Sequence, residues 1–323
     1  MKHRNASVSL AALFLSLVFT AGAQAAERAK MIFGYSTIGA MAAGSWMAKE
    51  IGAFERNGVD AELIYISSGP VVVQALLGGD LQAGLAATNA TIAAVLRGAQ
   101  LVSVMSTANR PYHRLWVQPE INRLEDLRGK VLGVTHFGAV TDNLTRILLK
   151  KHGLENAVSI RQLGGTMEVG AAFQHKQIAG AVTSTLRVDA QAKPKLLLKL
   201  EDMGIQYSMD VIVVSRDFLR RNAAAVEAMT RAYVEGVAAM HRDKPTSLRA
   251  IARFARLTDP RLIEEIYQDS IVYLEKVPRL EPEATTPILE SMDKKEVPLE
   301  TFADNSIVDR LVREKYIEKF YKK

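Results

Sequence analysis

The residues best suited to chemistry in this 323-residue chain are hydroxyls and glycines gathered in turns just ahead of helix-forming segments. Ser36-Thr37 runs on to Gly39, and Ser67-Ser68-Gly69 precedes Pro70. Thr88-Asn89 opens a helical pattern, and Thr135-His136-Phe137-Gly138 leads through Ala139 into another. A helix head presents unpaired N–H groups and about half a positive charge, so an oxyanion docks there without Lys or Arg. Ser and Thr add donors beside it. Helix capping alone explains any single one of these turns. Several of them on one edge of a folded unit describe a binding site instead.

Other candidates divide between a ligand role and a plainer one. His136 either meets a ligand at a helix head or is a surface or capping histidine. Asp142 favours the helix N-terminus over a ligand. Arg110, in Asn109-Arg110-Pro111, is placed to reach an anion where the chain passes between two units. Trp46, Phe54 and Trp116 have the spacing of core aromatics, with stacking on a ligand as the other reading. Arg216, Arg220 and Arg221 read as a solvated helix start.

These turns must be positioned by alternating strands and helices. Apolar β-rich runs at 31–36, 59–66, 81–87 and 101–107 alternate with helical patterns at 44–57, 71–77 and 88–97. Asn57-Gly58 reads as a helix end with glycine in the left-handed position. A second unit begins near Arg114, with strands at 115–118, 131–135, 158–163 and 178–183, a helical turn at 124–127, and helices at 140–151 and 167–176, the latter capped by Thr166. A last strand at 211–214 is followed by helices at 218–240 and 247–257 and a charged, largely helical tail. Such alternation predicts an α/β fold of doubly wound parallel sheets. Asp80–Thr88 and Gln177–Thr185 share a pattern, each following an amphipathic helix and ending in small hydroxyl residues. Two such lobes imply a cleft lined by loops at the strands' carboxyl ends.

Composition narrows the function classes. A hydrophobic fraction of 48% with 24% charged residues excludes a disordered or fibrous chain. No cysteine is present, which removes disulfides, thiolate metal sites and cysteine nucleophiles. A net charge of +6 is too small an excess to argue for nucleic acid. There is no phosphate-cradling glycine loop, no His-Glu-x-x-His and no Gly-x-Ser-x-Gly, and no His pair has metal-ligand spacing. No cofactor or metal is expected. Lys2, His3 and Arg4, the apolar run Val8–Phe19 and Ala23-Gln24-Ala25 have the form of a cleavable signal peptide, with cleavage after Ala25. The expected product is a soluble periplasmic protein.

Two segments carry a family resemblance. Leu124-Glu125-Asp126-Leu127-Arg128-Gly129-Lys130-Val131-Leu132-Gly133-Val134 resembles the entry into the second lobe of periplasmic substrate-binding proteins of ABC importers. Ser215-Arg216-Asp217-Phe218-Leu219-Arg220-Arg221-Asn222 is similar to their return into the first lobe. Met31–Ser36, Glu50–Phe54 and Leu76–Leu85 agree in order and spacing, so the resemblance runs from about Lys30 to Leu257. It points to the nitrate, sulfonate, taurine and thiamine-precursor branch.

The resemblance implies a periplasmic-binding-protein-like type II fold. Its divisions would be a signal peptide at 1–25, the first lobe at 26–110, the second at 111–209, and a return with C-terminal helices at 210–323. It implies a ligand cleft lined by Thr37, Ser68, Gly69, Thr88, Asn89, His136, Gly138, Ala139, Thr183, Ser184 and Thr185. Closure would hinge near residues 107–114 and 205–212. The implied protein is a monomeric, non-enzymatic receptor that hands a small anion, an alkanesulfonate or taurine for example, to an inner-membrane ABC permease and its ATPase. The alternatives are a receptor for a thiamine-precursor pyrimidine or an aromatic acid, a receptor serving a sensor kinase or a non-ABC importer, and an enzyme that has kept the fold.

Overall fold

A computed structural model describes residues 28–322, so the expected leader lies outside the described residues. In chain order the strands are β1 (Ala29–Tyr35), β2 (Val59–Tyr65), β3 (Ala83–Ala87), β4 (Leu101–Ser106), β5 (Arg114–Val117), β6 (Val131–Val134), β7 (Ser159–Gln162), β8 (Gly180–Thr183), β9 (Lys195–Lys199) and β10 (Asp210–Ser215). They form two five-stranded sheets, ordered β2-β1-β3-β10-β4 and β7-β6-β8-β5-β9. The two orders are the same pattern, with β3 and β8 in equivalent places. The shared Asp80–Thr88 and Gln177–Thr185 segments end in these two strands.

Neither sheet is wholly parallel, which corrects the doubly wound parallel expectation. β1 runs parallel to β2 and β3, and β6 parallel to β7 and β8. β10 is antiparallel to β3 and β4, and β5 to β8 and β9. The reason is connectivity. β5 and β10 are the strands by which the chain enters one sheet from the other, and a chain arriving at the carboxyl edge of parallel strands must run back against them.

The helices of the sheet-forming regions are α1 (Ala40–Glu50), α2 (Ala53–Arg56), α3 (Gly69–Gly78), α4 (Thr88–Leu96), α5 (Val140–Lys151) and α6 (Thr166–Gln174). The pattern read as one helix at 44–57 is two, broken at Gly52, whose φ of +68° only glycine adopts without strain. After β10 follow α7 (Arg216–Arg221), α8 (Ala223–Arg242), α9 (Lys244–Ala255), α10 (Pro260–Tyr273), α11 (Pro282–Ser291) and α12 (Ser306–Arg313). The single helix expected at 218–240 is likewise divided at Asn222. β9, Lys-Leu-Leu-Leu-Lys, is not legible as a strand in the sequence because three apolar residues between lysines do not alternate over a strand's length.

The core explains why the C-terminal helices return to the first sheet. β3 and β4 are buried along their whole length. α1 is buried at every residue from Ala40 to Ala48, which a lone surface helix never is. α8 covers it, and the helices touch at two glycines: a Cβ on Gly236 would lie 2.3 Å from the Gly44 carbonyl oxygen. Trp46 is fully buried and stacks on Phe254 of α9 at 6.2 Å, a core role as its spacing implied. Among the described residues no helix is long and apolar enough to cross a membrane.

The chain passes between the sheets in two segments that pair with each other. Thr107 donates from its N–H and its Oγ1 to the Asp210 carbonyl, each at 2.9 Å. Met209 N–H donates to Ala108 O at 2.9 Å, and Tyr207 N–H to Asn109 O at 3.0 Å. A two-stranded ribbon of this kind bends as a unit.

Candidate ligand-binding cleft

The carboxyl edges of the parallel strands of both sheets face a common cavity. From the first sheet come Ser36, Thr37 and Ile38 after β1, Tyr65, Ser67, Ser68 and Gly69 at the end of β2, and Ala87 closing β3. From the second come Thr135, Ala139, Val140 and Thr141 between β6 and α5, Thr166 at the head of α6, and Thr183 and Ser184 closing β8. The crossing segments add Tyr112, His113 and Asp210. The heads of α1, α3, α5 and α6 therefore converge here, two from each sheet, with their N-terminal positive ends towards one space.

Local packing sets these heads closely. Gly69 is required because a Cβ there would lie 2.6 Å from the Ala87 backbone nitrogen, so the head of α3 sits directly on the end of β3. Ser68 is in the N-cap position but makes no capping bond, and its Oγ is buried without a partner. Thr135 Oγ1 and Thr141 Oγ1 pair at 2.9 Å across the head of α5. Asp142 holds the same turn from the far side, accepting from Gly138 N–H at 2.8 Å and pairing with Arg146 at 2.9 Å. It therefore acts at the helix N-terminus, the plainer of its two readings.

The electrostatics are unusual for a polar cavity. Among the described residues no Lys or Arg lines it. His113 is buried, its Nδ1 has no partner, and burial, with Arg114 adjacent, pushes its pKa down to about 3, so it is neutral. Asp210 is 5% exposed, and burial alone raises its carboxyl to about 7. Tyr112 is buried beside Thr37 and Ser184, and burial raises its phenol pKa. Two guanidiniums approach from outside but are engaged elsewhere. Arg114 binds Asp269 at 2.7 and 3.0 Å and the Ser184 carbonyl at 2.9 Å, while Arg187 donates to the Ile38 carbonyl at 3.3 Å.

The lobes are closed on each other. Besides Arg187 and Ile38, Asn89 Nδ2 donates to Gly138 O at 2.7 Å, joining the head of α4 to the turn before α5. Asn143 Nδ2 donates to Ser291 Oγ of α11 at 2.9 Å. The free space left is about 60 Å³.

Residues 40–246 match the family described as NMT1/THI5 like, well over half of the chain. The chain belongs to that family. A protein of Brucella abortus (strain 2308), named as a candidate binding protein, is 32% identical over 136 residues, 42% of this NMT1/THI5-like chain and 41% of the relative. The match thus spans about two fifths of the length of the curated relatives. Among solved structures, a protein from Bordetella bronchiseptica RB50 superposes with a TM-score of 0.74 at 19% identity, covering 90% of this chain and 98% of that one. The alkanesulfonate-binding protein of Xanthomonas axonopodis pv. citri, bound to MOPS, gives 0.69 at 20% identity over 83% and 93%. The fold is therefore the two-lobed periplasmic-binding-protein-like one. The Brucella and Xanthomonas proteins are named for binding and not for catalysis.

Of the residues singled out in the sequence of this NMT1/THI5-like chain, Thr37, Ser68, Gly69, Ala139, Thr183 and Ser184 line the cavity. Thr88, Asn89, His136, Gly138 and Thr185 lie just outside it. Thr88 is the first residue of α4, not its cap, and its Oγ1 pairs with Ser208 Oγ at 2.9 Å. Asn89 and Gly138 meet at the rim. Thr185 Oγ1 donates to Glu265 at 3.4 Å, and His136 is half-buried one turn ahead of α5. Thr166 is also the first residue of its helix, with Gly165 as N-cap, and faces the cavity. Arg110 is exposed, donating to the Val272 carbonyl at 2.7 Å and lying over the Tyr273 ring.

Tyr112, His113 and Asp210 line the cavity without being legible as site residues in the sequence. Each sits in a crossing segment, where no helix pattern draws the eye. A signal was present for Asp210, a lone carboxylate heading the apolar run Val211–Val214.

Proposed function

We propose that the chain is a periplasmic solute receptor that closes its two lobes on a small molecule and delivers it to an inner-membrane ABC permease. The observation that carries this reading is the convergence of four helix heads, two from each lobe, on one cavity that neither lobe forms alone. A ligand touching both walls favours the closed state because only there does it gain both sets of hydrogen bonds. The paired crossing segments supply the hinge. The signal-peptide form of residues 1–25 supports export, and the relatives named for binding support a receptor.

The solute class favoured by the helix heads is a small organic anion of the sulfonate or taurine kind. A neutral aminopyrimidine or an aromatic acid is the second reading, favoured by one observation: the cavity wall carries no Lys or Arg. A thermal-shift screen decides between them, with taurine, alkanesulfonates, nitrate, bicarbonate, aromatic carboxylates and aminopyrimidines as the panel. A ligand at about a thousand times its dissociation constant adds roughly 4 kcal/mol, enough to raise the midpoint by several degrees. A shift confined to anions supports the first reading. A shift with neutral heterocycles alone supports the second, and no shift across the panel refutes both.

A further inference from the structure

We propose that the cavity is built for an amphoteric solute, one that places an amino or other N–H-bearing group against Asp210 and an anionic or acceptor end against the helix heads. This deepens the receptor reading above and rests on it.

The argument begins with groups that have no partner. The Asp210 carboxylate lines the cavity, is 5% exposed, and among the described residues has neither an ion-pair partner nor a side-chain hydrogen bond. A buried carboxylate without a cation or donors is costly, and folded proteins retain one where a function demands it. Two further buried polar atoms are unpartnered in lining residues of the same cavity: Ser68 Oγ, in a residue 3% exposed, and His113 Nδ1, in one 7% exposed. None of the described residues supplies these groups with a hydrogen bond.

Their chemistry is two-sided. An ionised carboxylate only accepts, so a solute group that relieves the buried charge of Asp210 must donate. The helix heads of α1, α3, α5 and α6 donate N–H groups and attract negative charge. A bare inorganic oxyanion satisfies the heads but meets ionised Asp210 as a like charge, with no Lys or Arg among the described lining residues to compensate; it is accommodated only where the carboxyl keeps its proton and donates. Arg114 is committed to Asp269, and Arg187, outside the wall, holds the Ile38 carbonyl at 3.3 Å, where its charge serves the anionic end of a solute. A simple cation satisfies Asp210 and is repelled by the heads. A molecule with both ends satisfies both walls.

The surroundings of Asp210 add no positive charge. The titratable groups that feel its charge are Tyr112 and Tyr207 from the crossing segments and Tyr233 from α8, all with raised pKa values, and His113 shares the cavity in its neutral form. Burial holds the carboxyl near pH 7 in the ligand-free protein. Docking of an ammonium group then drives it to the ionised form and releases a proton.

The test is isothermal titration of the full protein and of Asp210→Asn with matched pairs: 2-aminoethanesulfonate against ethanesulfonate, β-alanine against propionate, and 4-aminopyrimidine against pyrimidine. Each is run at pH 7 in two buffers of different ionisation enthalpy. The expected result is a preference of about tenfold or more for one amino member, with proton release, falling below about threefold in Asp210→Asn. Circular dichroism establishes that the variant is folded, and Asp210→Ser replaces it if it is not. Equal or tighter binding of the partner lacking the amino group overturns the inference and leaves the receptor reading intact. So does a preference that survives in Asp210→Asn. If no member of any pair binds, the receptor reading falls for solutes of this size, and the inference falls with it.

Discussion

Replacing Asp210 by Asn should stabilise the ligand-free protein, and the gain should grow with pH. The carboxyl is held near pH 7 by burial, against an ordinary value of 3.8. Below pH 3.8 it is protonated in the folded and the unfolded chain alike and costs nothing. As pH rises from there, the unfolded chain releases its proton while the folded one keeps it, so the folded state loses stability. Above pH 7 the loss is constant. A gap of about three pH units at 1.4 kcal/mol each sets the full cost at no more than roughly 4 kcal/mol. Asn keeps the shape and does not titrate. The Asp210→Asn advantage should therefore be roughly 2 kcal/mol at pH 5 and about 4 kcal/mol at pH 8. Urea denaturation of both proteins at the two pH values measures it, with midpoints compared at equal slope. An advantage that is flat between pH 5 and pH 8, or that shrinks, would refute the claim that this carboxylate is buried without a partner.

The opposite sign holds at His113, whose folded value of about 3 lies below the ordinary 6.5. Its contribution is present above pH 6.5 and lost on acidification, so wild type should lose up to roughly 3 kcal/mol more than His113→Gln between pH 7 and pH 4, as acid unfolding curves would record. Ser68→Ala removes a hydroxyl that has no partner among the described residues. It should leave the thermal midpoint of the ligand-free protein unchanged or raised while weakening ligand binding about fivefold, and a lowered midpoint would mean the hydroxyl serves the fold. Asn89→Ala deletes the 2.7 Å bond to Gly138 across the lobes. It should weaken ligand binding by about two- to tenfold and enlarge the ligand-free radius of gyration in small-angle scattering, with no effect on either speaking against a latch.

Much of the architecture is legible in the sequence because it is local. Val59–Tyr65, Ala83–Ala87 and Val140–Lys151 declare themselves by apolar period, and Asn57-Gly58 by glycine's freedom at a positive φ of 90°. The hydroxyl turns after β1, β2 and β8 were found for the same reason: each is a short segment next to a recognisable helix or strand. Strand direction was not legible. β5 and β10 have the composition of any buried strand, and only the path of the chain between lobes makes them antiparallel.

The sequence by itself therefore determined the two α/β units, their shared pattern, the polar character of their loops and the absence of cysteine chemistry. Those properties follow from residue type and short-range spacing. Only the tertiary structure decided which hydroxyls face the cavity, that Asn89 spends its amide on Gly138, and that Tyr112, His113 and Asp210 complete the wall. These depend on contacts between residues far apart in the chain, 49 positions in the case of Asn89 and Gly138. Burial, which sets the charge of His113 and Asp210, arises only when both lobes and the crossing ribbon come together.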